Sequence, residues 1–463
     1  MIEAIVISLS ILLLVAYKTL GRNLSRPSVL YIGGFLICSF VAYLWKEEWG
    51  LDKMSEGTMF LIVGGALLFF LVEWHDYRTH SLIEQEEYKD EIIPMYPISS
   101  FKLVLFFVFQ LLSFYMVAKA KMAYAATDDL STALVEINND EKFNDTLVKL
   151  PSYVSNSYTF CRQAGYIWCV LLPYYQFASS KYKKQKYLIA LNFITIIVGI
   201  IFSGSRMGIL NYLISYICFF YICHQYKNGW KWGFLPKKIM VMILIVGILF
   251  GSLFKTLASA VGRENDEHPI SLYFAIYCGA QIKNLDDYIQ RPFKQDNRAD
   301  VFGQYTISNI YNNIGQRKGS GQTRQYSAEL PFNSYEGCPL GNVYSAYYNY
   351  YLDFGYWGII CAGVMALVLA IVYRKMLRSQ FWETGLLDFG VLLYSWLIPF
   401  AFLSFFANQF WGTFSIEGVI KTLLIWWLVI YYLQGKGFLQ RYISVEPNNL
   451  NDRNVERFNL NEE

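Results

Sequence analysis

The chain has 463 residues, of which 55% are apolar and 18% aromatic but only 16% charged, where an average soluble domain carries roughly 25% charged residues. Lys+Arg 39 against Asp+Glu 36 leaves a net charge of +3, which excludes a nucleic-acid partner held by bulk charge. Length alone would suggest two or three soluble domains, and the hydropathy pattern replaces them with one polytopic membrane domain.

A helix needs roughly 20 mostly apolar residues to cross the hydrocarbon core. Runs of this kind fall at about 2–17, 28–45, 57–74, 99–118, 156–177, 187–202, 207–223, 238–257, 352–373, 387–407 and 417–434. They predict an all-α protein of about eleven transmembrane helices, one membrane domain over 1–434, and a polar tail over 435–463 with the composition of disordered chain. The first run opens with Glu3 rather than a basic region and lacks a small-residue cleavage site, so a retained helix is expected instead of a signal peptide. Alternating strands with a polar lumen are absent, which excludes an outer-membrane barrel.

Basic residues orient the spans. With the N-terminus outside, the inner segments include Lys181, Lys183, Lys184, Lys186, Arg374, Lys375 and Arg378. The short outer loops 46–56, 203–206 and 408–416 hold only Lys46, Lys53 and Arg206. The C-terminus then lies in the cytoplasm. Two long outer segments remain, 119–155 and 258–351. No internal repeat, phosphate loop, G-x-G-x-x-G or Asp-x-Asp pair is present, and His75, His80, His224 and His268 are scattered, so no metal and no cofactor is expected. Cys278 and Cys338 are the two cysteines that could meet in the outer loop.

Cations gather at the outer ends of helices. Arg162 lies in the fifth span, Arg206 ends the tight turn F-S-G-S-R-M-G, Lys255 lies in the last turn of the eighth span, and Arg263 follows it. A cation at membrane depth costs about 2.5–3.5 kcal/mol unless it faces a cavity or a partner. An outer cluster of this kind suits a lipid-linked phosphate or diphosphate, whose oxygens the planar guanidinium binds in pairs. Taken one by one, the same residues could snorkel to headgroups.

In the second outer segment, residues 270–289 carry apolar residues at helical spacing, interrupted by Gly279 and Lys283. They predict an amphipathic helix packed at the membrane surface. The polar stretch 291–340, with Arg291, Arg298, Arg317 and Arg324, reads as a mobile outer loop, and Arg291 and Arg298 are further candidates for binding substrate. It closes on G-N-V-Y-S-A-Y-Y-N-Y-Y-L-D-F-G-Y-W-G. Tyr344 and Tyr348 there could stack on sugar rings while Asn342, Asn349 and Asp353 bond hydroxyls. An aromatic belt entering the ninth span is the plainer reading of the tyrosines.

The S-G-S-R turn at 203–206, the I-K-N-L-D-D-Y stretch and the aromatic segment ending in Y-Y-L-D-F-G-Y-W-G resemble motifs of bacterial Wzy-type oligosaccharide repeat-unit polymerases. The resemblance covers roughly 155–375, and the first four spans match in topology alone. It implies a C-type glycosyltransferase-like membrane fold in the bacterial inner membrane. It also implies action on undecaprenyl diphosphate-linked repeat units as donor and acceptor, to build O-antigen or capsular polysaccharide. Membrane lipid, a chain-length regulator and a flippase are the partners it implies. His268 opens the loop helix, whereas in the related O-antigen ligases the corresponding histidine sits near the loop's end. On this reading a sugar hydroxyl attacks the anomeric carbon, and Arg162, Arg206 and Arg263 stabilise the departing lipid diphosphate. His268, Glu267 and Asp353 are the candidate general bases. A lipid-linked oligosaccharide flippase and an O-antigen ligase are the competing readings, and the near absence of mid-span charge disfavours the flippase.

Overall fold

In a bilayer every backbone N–H and C=O must be paired within the chain, so an apolar run of spanning length folds as helix. The computed structural model describes residues 1–80, 96–143, 150–177, 180–201, 206–230, 233, 236–237, 240–241, 269–294, 301–317 and 328–435. Helices α1 (Ile2–Thr19), α2 (Pro27–Leu44), α3 (Glu56–His80), α4 (Ser100–Tyr124), α5 (Leu130–Phe143), α6 (Ser152–Gln176), α7 (Lys183–Ile201) and α8 (Arg206–Lys227) make up the first half. The second half holds α9 (Ile270–Gln290), α10 (Ser308–Arg317), a small antiparallel hairpin of β1 (Asn333–Tyr335) and β2 (Cys338–Gly341), and α11 (Ala346–Phe354). It continues through α12 (Ile359–Leu377), α13 (Phe381–Thr384), α14 (Phe389–Phe402), α15 (Gln409–Thr413) and α16 (Ile416–Gln434).

Among the described residues, 8 helices are long and apolar enough to cross a membrane. They are α1 to α4, α7, α8, the continuous run Ala346–Thr384 that contains α12, and α16. The tenth expected span is a shorter apolar helix, Phe389–Phe405. The fifth is α6, whose first half is too polar to qualify although residues 164–175 are buried in the bundle. The eighth, 238–257, apart from residues 240–241, and the tail from 436 lie outside the described residues. Within the expected outer loop 119–155 the chain forms the helix α5.

Residues 269–294, 301–317 and 328–354 gather at one end of the bundle, hereafter the loop end. The α9 helix forms over the stretch expected to be amphipathic helix. It is unbroken and packs along the loop end of α2. Gly279 is what lets it approach, because a Cβ there would stand 2.9 Å from the Ala42 nitrogen. Its polar residues turn inward rather than to solvent, Lys283 being 5% and Asp286 1% exposed. Asp286 accepts from the Ser55 N–H at 2.8 Å, the Ser55 hydroxyl at 2.8 Å, the Thr58 hydroxyl at 2.7 Å and the Gln290 amide at 2.6 Å. The carboxylate thereby fixes the first turn of α3, where Ser55 is also the N-cap. Lys283 donates to Asp287 at 2.7 Å and lies over the Tyr335 ring. Asn333 ties the hairpin to Asn284 at 3.0 Å and to Asp287 at 2.9 Å. Asp286→Ala is expected to cost roughly 2–3 kcal/mol, since buried donors lose a charged acceptor. Faster proteolysis within 269–354 is the measurement that checks it.

At the opposite, far end, Arg26 and Glu73 form a buried pair with Nη1 and Oε1 3.9 Å apart. The guanidinium is sandwiched between the rings of Tyr77 at 4.5 Å and Tyr373 at 4.7 Å. The Ser28 N–H donates to the other Glu73 oxygen at 2.6 Å, and the Tyr394 hydroxyl donates to the Ser25 carbonyl. This knot joins α2, α3, α12 and α14.

Candidate functional site

The α6 sequence Y-T-F-C-R-Q-A-G-Y places Tyr158, Arg162 and Tyr166 four residues apart, hence on one face of the helix. Arg162 lies about 15 Å along the axis from Ser152, well inside the spanning length. It stays exposed although Tyr212, Tyr158 and Tyr166 surround its guanidinium. Among the described residues no hydrogen bond or ion pair engages that guanidinium. The Tyr212 hydroxyl, reaching across from α8, donates to the Arg162 carbonyl, and its ring packs 4.8 Å from that of Tyr166. Gly165 admits this approach, since a Cβ there would meet the Tyr212 ring at 2.8 Å.

Helices α6 and α8 run parallel, and the Cys169 thiol donates to the Tyr212 carbonyl at 3.5 Å. Counting six residues back along each helix puts Arg206 level with Gln163. Two of the expected cations thus start from the same height on neighbouring helices, which in such packing lie about 8–10 Å apart. The Arg206 backbone begins α8, and its side chain lies outside the described residues. Nearby, α16 closes this side through Lys421 donating to Asn156 at 2.7 Å and the Trp426 indole donating to the Gln163 carbonyl at 2.9 Å. The Gln163 and Asn211 side-chain oxygens are buried with no hydrogen-bond partner among the described residues.

The other expected site residues divide into two groups. Lys255, Arg263, Glu267, His268 and Arg298 lie outside the described residues. Arg291, Asn342, Tyr344, Tyr348 and Asp353 sit in the loop-end segment, on the side of α2, α3 and α12 rather than beside α6 and α8. Arg291 is exposed and caps α9. Tyr344 and Tyr348 are buried, with their hydroxyls donating to the Pro331 carbonyl at 3.1 Å and the Glu329 carbonyl at 2.7 Å. Tyr347 and Tyr350 are buried as well, and Tyr347 receives the Tyr31 hydroxyl at 2.7 Å. The aromatic run therefore threads the loop-end segment into the bundle. Asp353 accepts from the Tyr305 N–H at 3.1 Å and the Thr306 N–H at 2.6 Å, so both of its oxygens already hold the strand entering α10. Asn349 and Asn408 fasten the same strand through the carbonyls of Tyr305 and Thr306. Asn342 is half-buried at the hairpin's exit. Cys278 and Cys338 are free thiols.

The ring of tyrosines about Arg162 is the feature sequence reading missed. The spacing of Tyr158 and Tyr166 on either side of Arg162 was legible, whereas Tyr212 arrives from another helix with no local signal. No family model, no curated protein and no solved structure matches the chain.

Proposed function

We propose that this protein joins undecaprenyl diphosphate-linked oligosaccharide repeat units into O-antigen or capsular polysaccharide, by an inverting, metal-independent glycosyl transfer at the outer face of the inner membrane. The observation that carries the reading is Arg162, an exposed guanidinium that no described residue engages by hydrogen bond or ion pair, with Arg206 opening the neighbouring helix at the same height. A cation without a partner among the described residues of a spanning bundle calls for an anion from elsewhere. A lipid-linked diphosphate supplies one at this depth. The far end carries Lys181, Lys183, Lys184, Lys186, Arg374, Lys375 and Arg378, which supports a cytoplasmic far end and an external loop end.

In the reaction, a sugar hydroxyl of a new repeat unit attacks the anomeric carbon of the growing chain. The bond from that carbon to the diphosphate oxygen breaks, and the diphosphate leaves with its charge. Arg162 and Arg206 bind that charge as it develops, which is where preorganised donors lower a barrier most. The hydroxyl proton passes to a base. With Asp353 holding two backbone N–H groups, His268 and Glu267 are the stronger candidates for it.

Purified protein given a lipid diphosphate-linked repeat unit is expected to yield a ladder of products on a gel, with or without excess chelator. No ladder overturns the polymerase reading. A ladder lost on chelation and restored by magnesium overturns the assignment of charge stabilisation to arginine. Transfer of single chains to lipid A core instead would identify a ligase.

A further inference from the structure

A groove of about 330 Å³ runs between α3 and α12 at the far end of the bundle. Its apolar part is formed by Leu71, Val72 and Leu367, and its polar mouth by His75, Asp76, Thr79 and His80. The two helices pack side by side along their length. Their outward residues, Phe60, Leu67 and Leu71 on α3 and Ile360, Val364 and Leu367 on α12, together with Trp357 in the turn before α12, are all exposed large hydrophobics. Such a two-helix stripe faces acyl chains. It begins at the loop end with aromatic side chains, Phe60, Tyr356 and Trp357, of the kind that mark a membrane interface. The groove mouth lies roughly 15–20 residues beyond Phe60, close to the length needed to cross the hydrocarbon core. The mouth therefore lies at the opposite headgroup level.

Basic side chains stand at that mouth. Arg374 donates through Nη1 to Asp76 at 2.6 Å and contacts the His80 Nδ1 with the same nitrogen. Among the described residues its Nη2 and Nε have no partner. His75 is exposed with no hydrogen bond to its ring among the described residues, and the Arg78 guanidinium lies 5.0 Å over the Trp74 ring. Asp76 is the one acid among the described residues lining the groove, and Arg374 pairs with it. An apolar channel at acyl-chain depth that ends in a guanidinium with spare donors and two imidazoles complements a single amphiphile with a negatively charged head.

We propose that this groove binds one anionic phospholipid of the bilayer. An acyl chain lies along Leu71, Val72 and Leu367, and the headgroup phosphate is held by Arg374, His75 and His80. The site is independent of the arginines at the loop end and of the proposed transferase activity.

The test uses the full chain in nanodiscs of phosphatidylcholine with phosphatidylglycerol, released and weighed by native mass spectrometry. One phosphatidylglycerol is expected to remain on the protein in preference to phosphatidylcholine. Arg374→Gln is expected to lower the bound fraction roughly tenfold, the worth of one charge-assisted hydrogen bond. Because Arg374 also pairs with Asp76, Leu367→Trp serves as a second variant that fills the groove and leaves the polar contacts intact. It too should lose the lipid, while Tyr356→Ala at the loop end should keep it. Undiminished retention in Leu367→Trp, or equal retention of the zwitterionic lipid, overturns the proposal. Displacement of the lipid by millimolar inorganic phosphate would also overturn it, by marking a site for free phosphate.

Discussion

Arg162→Ala is expected to abolish chain extension while the protein still inserts and purifies normally. On the polymerase reading its guanidinium faces the departing diphosphate, and loss of one preorganised donor costs about 10²–10³ in rate. Arg206→Ala should have an effect of the same order, because the helix register sets it level with Gln163 next to Arg162. Arg206→Lys should recover part of the activity, since an ammonium keeps the charge and loses the paired bond. Tyr212→Phe separates position from charge. It keeps the ring against Gly165 but removes the bond to the Arg162 carbonyl, and should weaken extension far less than Arg162→Ala. Product ladders from membranes carrying equal amounts of each variant check all four. Long polymer from Arg162→Ala would remove α6 from the active site.

The second large effect is on stability. Arg26→Met should destabilise the protein by roughly 3–5 kcal/mol, because it leaves the buried Glu73 carboxylate without its compensating charge. It also removes a guanidinium from between Tyr77 and Tyr373. Arg26→Met combined with Glu73→Leu should recover most of the loss, since replacing both members of a buried pair by apolar groups is often neutral. Denaturant titration of the single and double variants in bicelles measures both. A double variant no more stable than Arg26→Met would show that the pair's charges are not the source of the effect.

Both results depend on features that differ in how far the sequence discloses them. The spans were legible because transfer of apolar side chains into lipid is a sum over residues, and the sum can be read without knowing the neighbours. The tenth and fifth spans show where such a sum weakens. Phe389–Phe405 is short, and α6 spends its first half on polar residues that its packing against α8 and α16 accommodates. Gly279 shows the same limit. Read locally it interrupts a helix, yet in the fold it is the point at which α9 closes on α2.

Composition and periodicity thus determined that the chain is an all-α membrane protein and where most of its helices lie. Tertiary structure alone decided what individual side chains meet. It turned Lys283, Asn284, Asp286 and Asp287 from an expected surface into a buried clamp for the hairpin and the start of α3. It placed Tyr212 against Arg162 and withdrew Tyr344, Tyr347, Tyr348 and Tyr350 into the protein. The physical reason is that burial in lipid is scored residue by residue along one chain. A hydrogen bond or a stacked ring instead needs two groups at one point in space, and their partners lie as far as 369 positions apart.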